Sequence, residues 1–316
     1  MKSIFVRDFK VGNRIADFFV LRKKELKEYD GQKFLKLELG DKSGRVDAVM
    51  WDDAEKFYPR AEVGNIIQVK GSVTTYKDSM QIKLESFKKA EGKIELSDFL
   101  PTSEKDVEEL FSKLKEIAFS VENRYLKALL ENLFDDSALM EKFKQAPGGK
   151  LWHHSYLGGL LEHTLRVAQI CQKASDLYEL VDRDLIITGA LVHDIGKISQ
   201  YSTTGFIDYS DEGRLVGHIV SGYEMIARRI EKIKDFPEKL SLKLRHLILS
   251  HQGQLEMASP VVPQTLEAII LHHADEMDAK AGAFTHIIKR DKYKNKEWSD
   301  FVPLIQRFIY FGEDEK

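Results

Sequence analysis

In the first third of the chain apolar residues recur at every second position. The stretches Phe34-Leu35-Lys36-Leu37-Glu38-Leu39 and Arg45-Val46-Asp47-Ala48-Val49-Met50-Trp51 alternate as a strand with one buried face must. The same period predicts strands over residues 15–22, 34–39, 46–51, 66–75 and 81–87, with turns at Asp30-Gly31 and over residues 41–44. A short helix is expected over residues 53–57, between the third and fourth strands. Five short strands with a helix at that point follow the order of a small closed Greek-key barrel. From Ser97 onward the apolar period becomes helical. Residues 98–102 read as a connector, and Ser103 with Asp106 three residues later reads as the N-terminal cap of a helix running to Phe119. Further helices are expected over 122–134, 137–144, 156–175, 183–192, 215–232, 238–250, 263–282 and 298–311; Leu157, Leu160, Leu161, Thr164, Leu165 and Ala168 mark the inner face of one of them. The expected organisation is a barrel domain over residues 1–95, a helical connector over 96–150 and an all-α domain over 151–316.

A length of 316 residues suits two domains, and 43% hydrophobic with 31% charged residues is the composition of a globular protein. No apolar run approaches the ~20 residues that span a bilayer, and charges interrupt every apolar stretch of the N-terminus, so the expected location is the cytoplasm, with no membrane partner. With Cys171 as the single cysteine, thiolate zinc sites are excluded and the thiol reads as buried packing. Any bound metal must be held by histidine and carboxylate. The net charge of −3 is unevenly spread: residues 1–95 carry 20 Lys and Arg against 16 Asp and Glu, the remainder 28 against 35. This basic excess fits a surface that follows a phosphate backbone and equally an ordinary solvated face.

All ten histidines fall after residue 150. His163, His193-Asp194, His218, His251 and Asp275 each lie beside an apolar helical stretch, where a core residue would otherwise sit. Burying so many polar groups is costly unless something satisfies them, and a shared metal centre does so. Each of His163, His218 and His251 taken singly also reads as a satisfied core or surface histidine; together with the doublet and Asp275 they point to metal. The donor set suits zinc, iron, manganese or cobalt, and an aspartate with two oxygens can bridge two ions. Two such ions ~3.5–4 Å apart would activate a bridging water and neutralise charge on phosphorus. Lys197 follows the doublet across Gly196 and reads either as a cation turned over the site, acting catalytically with Asp194, or as a helix C-terminal lysine near the dipole. His154 reads as a substrate contact or a structural residue, and Asp278 and His272 as groups behind the ligands.

The ordered set His163, His193-Asp194, His218, His251 and Asp275, over roughly residues 151–281, resembles the HD superfamily of metal-dependent phosphohydrolases. The resemblance implies that His163, His193, Asp194 and Asp275 hold one ion, while Asp194 bridges to a second held by His218 and His251. The order of the whole chain, an OB-fold barrel, a helical connector and then Trp152-His153-His154-Ser155-Tyr156-Leu157-Gly158-Gly159-Leu160-Leu161-Glu162-His163-Thr164, resembles the YhaM-type 3′→5′ exoribonucleases. That family implies manganese-dependent release of nucleotides from single-stranded 3′ ends of RNA, with DNA as a further substrate, and assembly of several copies. The fold expected is therefore multidomain, a small five-stranded OB-fold barrel followed by an all-α HD domain.

OB folds bind single strands with a basic groove and aromatic platforms. The candidates are Phe18, Phe34, Trp51 and Tyr76 beside Arg22, Lys23, Lys24, Lys27, Lys33 and Arg45; each aromatic also reads as core, and Arg22-Lys23-Lys24 as a solvated loop. Two other functions stay open on the residues alone. One is hydrolysis of a small nucleotide or cyclic dinucleotide, and the other is a non-catalytic nucleic-acid-binding module that keeps metal for stability.

Overall fold

The computed structural model describes residues 2–92, 94–150, 153–291, 297–303 and 305–312. Trp152, which opens the motif quoted above, lies outside them, as does Leu151. The chain forms two units, Met1–Thr102 with Ser202–Asp208, and Ser103–Tyr201 with Tyr209–Lys316.

The first unit is a closed barrel. Strands β1 (Arg14–Tyr29), β2 (Gln32–Asp41) and β3 (Gly44–Met50) are followed by a single helical turn, α1 (Ala54–Phe57), and by β4 (Ile66–Tyr76) and β5 (Ser79–Lys89). Their order around the barrel is β1-β2-β3-β5-β4, and only β3 and β5 run parallel. The alternation read from the sequence fills the interior: Leu35, Leu37 and Leu39 of β2 meet Ala48 and Met50 of β3, all at most 1% exposed. β1 is twice as long as expected, because Lys23 to Tyr29 pair with β2 through Gln32 despite the mostly charged sequence. A register shift at Arg22 bends β1 so that one strand serves both neighbours. Asp30 (φ 52°) and Gly31 (φ 74°) make the two-residue turn whose twist matches its strands. Gly71 sits at a second register shift, where a Cβ would come within 2.3 Å of the Lys83 carbonyl.

The N-terminal segment is tied down by a buried carboxylate. Asp17 Oδ2 accepts from the backbone N–H groups of Ser3 and Ile4, both at 2.7 Å, and from Ser3 Oγ; Oδ1 accepts from Phe18 N. Lys2, its ammonium 3.5 Å from the centre of the Phe19 ring, donates to the Phe18 carbonyl at 2.7 Å.

The second unit is helical: α2 (Val107–Phe119), α3 (Arg124–Phe134), α4 (Ser137–Gln145), α5 (Gly159–Leu177), α6 (Arg183–Val192), α7 (Lys197–Gln200), α8 (Asp211–Leu215), α9 (His218–Ile230), α10 (Glu238–Ser250) and α11 (Leu266–Asp291). Two short strands, β6 (Tyr201–Ser202) and β7 (Asp208–Tyr209), pair where the chain leaves this unit and returns to it. Helices α2 to α4 share one apolar core with α5, α6 and α10. α6 lies at its centre, with every residue from Leu185 to Val192 buried. Cys171 packs here as expected; burial and the charge of Asp275 push its thiol up to about 12. No helix among the described residues is long and apolar enough to cross a membrane.

Four helix expectations change. The cap of α2 is Asp106, which accepts from the N–H groups of Glu108 and Glu109, whereas the Ser103 hydroxyl turns to Glu162. α5 begins at Gly159 rather than 156, because Gly158 lies at φ 84°. The helix expected over 215–232 is broken at Gly217 (φ 79°), the residue before His218. The segment expected as a helix over 298–311 instead doubles back on itself: Ser299 N donates to Ile309 O at 2.8 Å and Val302 N to Arg307 O at 3.0 Å. Pro303, with no N–H to donate, lies at its turn.

Burial alone would raise the Asp17 carboxyl, but the three backbone N–H donors and the Ser3 hydroxyl override it and hold it below the ordinary value. A carboxyl depressed by folding stabilises at neutral pH, and that contribution is lost as pH falls from about 3.9 through the lower folded value. Asp17→Asn should therefore cost about 1–3 kcal/mol in urea unfolding at pH 7. The difference from wild type should shrink as the pH is lowered below 3; a gap that stays constant with pH would contradict this assignment.

Candidate metal centre and strand-binding surface

The six expected ligands come from helix ends and from two long helices. α6, buried from Leu185 to Val192, is capped at its C-terminus by His193, and the chain turns at once through Asp194 to Gly196, closed by Lys197 N donating to Asp194 O at 2.9 Å. Gly196 is required by close approach: a Cβ there would lie 2.0 Å from the His218 carbonyl oxygen and 2.6 Å from Gly222 N. This contact seats the first turn of α9 against the turn and brings His218 beside Asp194. His251 ends α10, while His163 and Asp275 project from α5 and α11.

All six converge on one point. His163 Nε2 lies 3.3 Å from His193 Nε2, 3.2 Å from Asp275 Oδ1 and 3.3 Å from Asp194 Oδ2. On the other side of the same carboxylate, Asp194 Oδ1 is 3.3 Å from His218 Nε2 and 3.5 Å from His251 Nε2. The other nitrogens of three rings are tethered. His193 Nδ1 meets Ala190 O and His251 Nδ1 meets Ile248 O, each at 2.8 Å, and His163 Nδ1 meets Asp278 Oδ2 at 2.8 Å. A carbonyl oxygen can only accept, so Nδ1 of His193 and of His251 carries a proton, and each ring is fixed with Nε2 aimed at the centre.

Burial would lower His163 and His251, but the carboxylates of Asp194 and Asp275 outweigh it and hold both imidazoles above their ordinary value. Both oxygens of Asp194 and Nε2 of His218 are buried without any donor in hydrogen-bonding geometry. Lys197 Nζ, 2.6 Å from Asp194 Oδ2, is the single nearby ammonium among the described residues. Burial would discharge Lys197, but Asp194 and Asp275 outweigh it and hold its pKa up. Burial also favours the neutral form of His218, at about 3. Burial would raise Asp194, yet Lys197 and the imidazoles of His193 and His163 hold it well below the usual carboxylate range. Histidine nitrogens and carboxylate oxygens facing one another suit a divalent cation. His163, His193 and Asp275 form one set able to hold an ion, and Asp194, His218 and His251 a second.

Behind the ligands runs a chain of polar contacts that the sequence did not announce. Asp278 Oδ2 also meets His154 Nε2 at 2.9 Å; His154 Nδ1 meets the Tyr156 hydroxyl, which donates to Glu162 Oε2 at 2.9 Å. Lys105 and Arg166 pair with Glu162 Oε1. Burial would raise Glu162, but Lys105, Tyr156 and Arg166 bring it to about 2. His154, buried with both nitrogens occupied, thus fits the structural of its two expected roles. Lys197 is the first residue of α7 and faces the centre, rather than standing at a helix C-terminus. A cleft of about 600 Å³ opens over the centre, lined by Lys197, His251 and Asp275 and, unforeseen, by His153, Phe284 and Arg307.

In the barrel, Arg22, Lys23 and Arg45 converge on one carboxylate, Glu38, at 3.7, 2.9 and 3.5 Å, leaving that face basic. Lys24 is different: its ammonium is buried against the carbonyls of Tyr58 and Ala61, at 3.0 and 2.7 Å. Phe34 of β2 and Trp51, the residue after β3, stack at 4.4 Å and are each half-buried. Lys27 and Lys33 pair with Glu25 and Glu55. Tyr76 is 60% exposed and Phe18 half-buried against the small Val20, Ile66 and Phe99 cluster. Tyr29, passed over in the sequence, is 71% exposed beside the β1–β2 turn; only its place at the end of a strand could have signalled it.

The ordered ligands on helices and the closed barrel define an HD domain following an OB fold. Residues 160–280 match the HD domain family, and residues 19–90 match the OB-fold nucleic acid binding domain family. Three curated relatives are named 3′-5′ exoribonuclease YhaM. Those of Listeria monocytogenes and Listeria welshimeri are 31% and 32% identical over 90% of this chain and 91% of theirs. That of a Geobacillus species is 31% identical over 96% of this chain and 93% of its own. The chain belongs to the YhaM exoribonuclease family.

Removing a partner of a ligating histidine usually costs 10- to 100-fold in metal affinity. Asp278→Ala, which frees His163 Nδ1, should weaken divalent-metal binding by that factor in calorimetric titration, while Asp194→Ala should abolish it with helical content unchanged. Equal affinity in Asp278→Ala and wild type would refute the role given to Asp278.

Proposed function

We propose that this protein is a metal-dependent 3′→5′ exonuclease that shortens single-stranded RNA, and DNA, in the cytoplasm. The observation that carries the reading is the buried carboxylate of Asp194, paired with Lys197 and flanked by four imidazoles and Asp275. His163, His193, Asp194 and Asp275 would hold one divalent ion, and Asp194, His218 and His251 a second, manganese being the metal that suits this oxygen and imidazole set within its family. Bound there, divalent metal would supply an ionised water near neutral pH and screen the charge of a phosphodiester.

The protein's own groups do the rest. Tethered Nδ1 atoms fix three imidazoles before substrate arrives, so no reorganisation is needed. Lys197, paired with Asp194 and facing the cleft, offers a fixed ammonium to the charge that grows on phosphate oxygens. In the barrel, the basic face at Arg22, Lys23 and Arg45 contacts the sugar-phosphate backbone, and the Phe34 and Trp51 pair offers a flat apolar surface to bases. The barrel unit acts in capture and the helical unit, which includes residues 103–150, in hydrolysis.

With 5′-labelled single-stranded RNA and manganese, the full chain should give a ladder shortening from the 3′ end. Lys197→Met should lower kcat by roughly 10²- to 10³-fold, the loss expected for one preorganised donor. Intact substrate after incubation with metal-loaded protein, or shortening from the 5′ end, would overturn the proposal.

A further inference from the structure

The C-terminal segment contributes a surface that the reading above leaves unused. Residues 297–303 and 305–312 form an irregular hairpin held by Ser299 N to Ile309 O, Val302 N to Arg307 O and Phe311 N to Glu297 O. Its two faces differ. Val302 and Ile309 point inward and, with Ile305 and Phe311, pack on Ile287 and its neighbours in α11. Outward stand Trp298, Phe301, Phe308 and Tyr310, each 51–56% exposed. They form two pairs, Phe301 with Phe308 at 5.3 Å between ring centres and Trp298 with Tyr310 at 4.8 Å. A single exposed aromatic needs no explanation, but four contiguous ones mark a binding surface.

Its position says what binds. Near the turn of the hairpin Ile305, Gln306 and Arg307 form part of the wall of the cleft over the metal ligands. Arg307 donates through Nε to the Ile305 carbonyl, and its guanidinium is exposed with no carboxylate partner among the described residues. Leading away from that wall come Phe301 and Phe308, then Trp298 and Tyr310. Phe308 and Tyr310 are two residues apart on one face, roughly 7 Å at strand rise. That alternation gives successive rings separate places to stack. A cation at the cleft followed by paired rings is the combination that single strands recognise, phosphate on the cation and bases on the rings.

We infer that this hairpin is a second single-strand contact, in which Arg307 holds a phosphate at the cleft and the aromatic pairs stack bases of the nucleotides preceding the 3′ end. The inference rests on the exonuclease reading and adds to it a substrate-length preference that arises in the HD domain itself. A dinucleotide occupies the cleft without reaching the rings, whereas a longer strand engages them.

The test uses the full chain with manganese, a single-stranded 12-nucleotide RNA and a dinucleotide. The double variant Trp298→Ala with Phe308→Ala should raise KM for the 12-mer about tenfold or more, leave its kcat within about twofold and leave dinucleotide hydrolysis unchanged. Trp298→Phe with Phe308→Tyr, which keeps both rings, should restore the wild-type KM. Unchanged KM and unchanged anisotropy-measured binding of the 12-mer would overturn the inference, as would equal losses on both substrates. Unchanged KM with a different sedimentation coefficient would overturn it in favour of an interface between copies. Failure of wild type to shorten the 12-mer would instead strike the exonuclease reading, and the binding measurement would still decide the hairpin.

Discussion

A carboxylate sealed from water and denied hydrogen-bond donors is among the costliest groups a protein can bury. Asp194 is such a group, and the architecture of the helical unit follows from having to place it. α6 supplies the apolar rod that carries it into the core, and the glycine contact between residues 196 and 222 brings α9 close enough for His218 to share its oxygen. Lys197 offsets one charge, while Asp275 adds another. Four imidazoles, two with their Nδ1 protons already committed to backbone carbonyls, aim Nε2 at the same carboxylate. Histidine nitrogens and carboxylate oxygens gathered in this way suit a divalent cation.

That logic explains why the ligands sit where they do. His193 and His251 end their helices, where Nδ1 can reach a carbonyl three residues back, so the helix terminus fixes both the tautomer and the aim of the ring. His163 lies one turn inside the start of α5, where the carbonyls are taken up by the helix; Asp278, one turn beyond Asp275, takes that part and is itself held by His154 and Arg166. Support for the first ring thus extends outward through Tyr156 and Glu162 to the surface cations Lys105 and Arg166.

Much of this was legible in the residues. The barrel could be read because inward side chains alternate from Phe34 to Leu39 of β2 and through β3, and the ligand set because His and Asp stand in apolar surroundings that would otherwise reject them. The supporting network was not legible: Tyr156, Glu162 and Arg166 fall at helical spacings that any solvated face would show. The true length of β1 was hidden by Lys23, Lys24, Glu25 and Lys27, whose charges obscure the alternation on an outward-bending strand. Trp298, Phe301, Ile305 and Phe308 recur at three and four residues and imitate a helix; Pro303 and the Ser299 hydroxyl, which accepts from Ile309 N, decide otherwise. Among the barrel candidates, Lys24 looked like its neighbours, and only folding showed its ammonium turned to backbone carbonyls.

The central claim is that one buried aspartate organises a shared cation site. Crystals grown with manganese and measured at its absorption edge test this directly, because anomalous density locates the ions independently of the protein atoms. The account predicts two peaks ~3.5–4 Å apart, one on either side of the Asp194 carboxylate, the first against His163, His193 and Asp275 and the second against His218 and His251. Density confined to other sites, with the Asp194 oxygens uncoordinated in metal-saturated crystals, would contradict it.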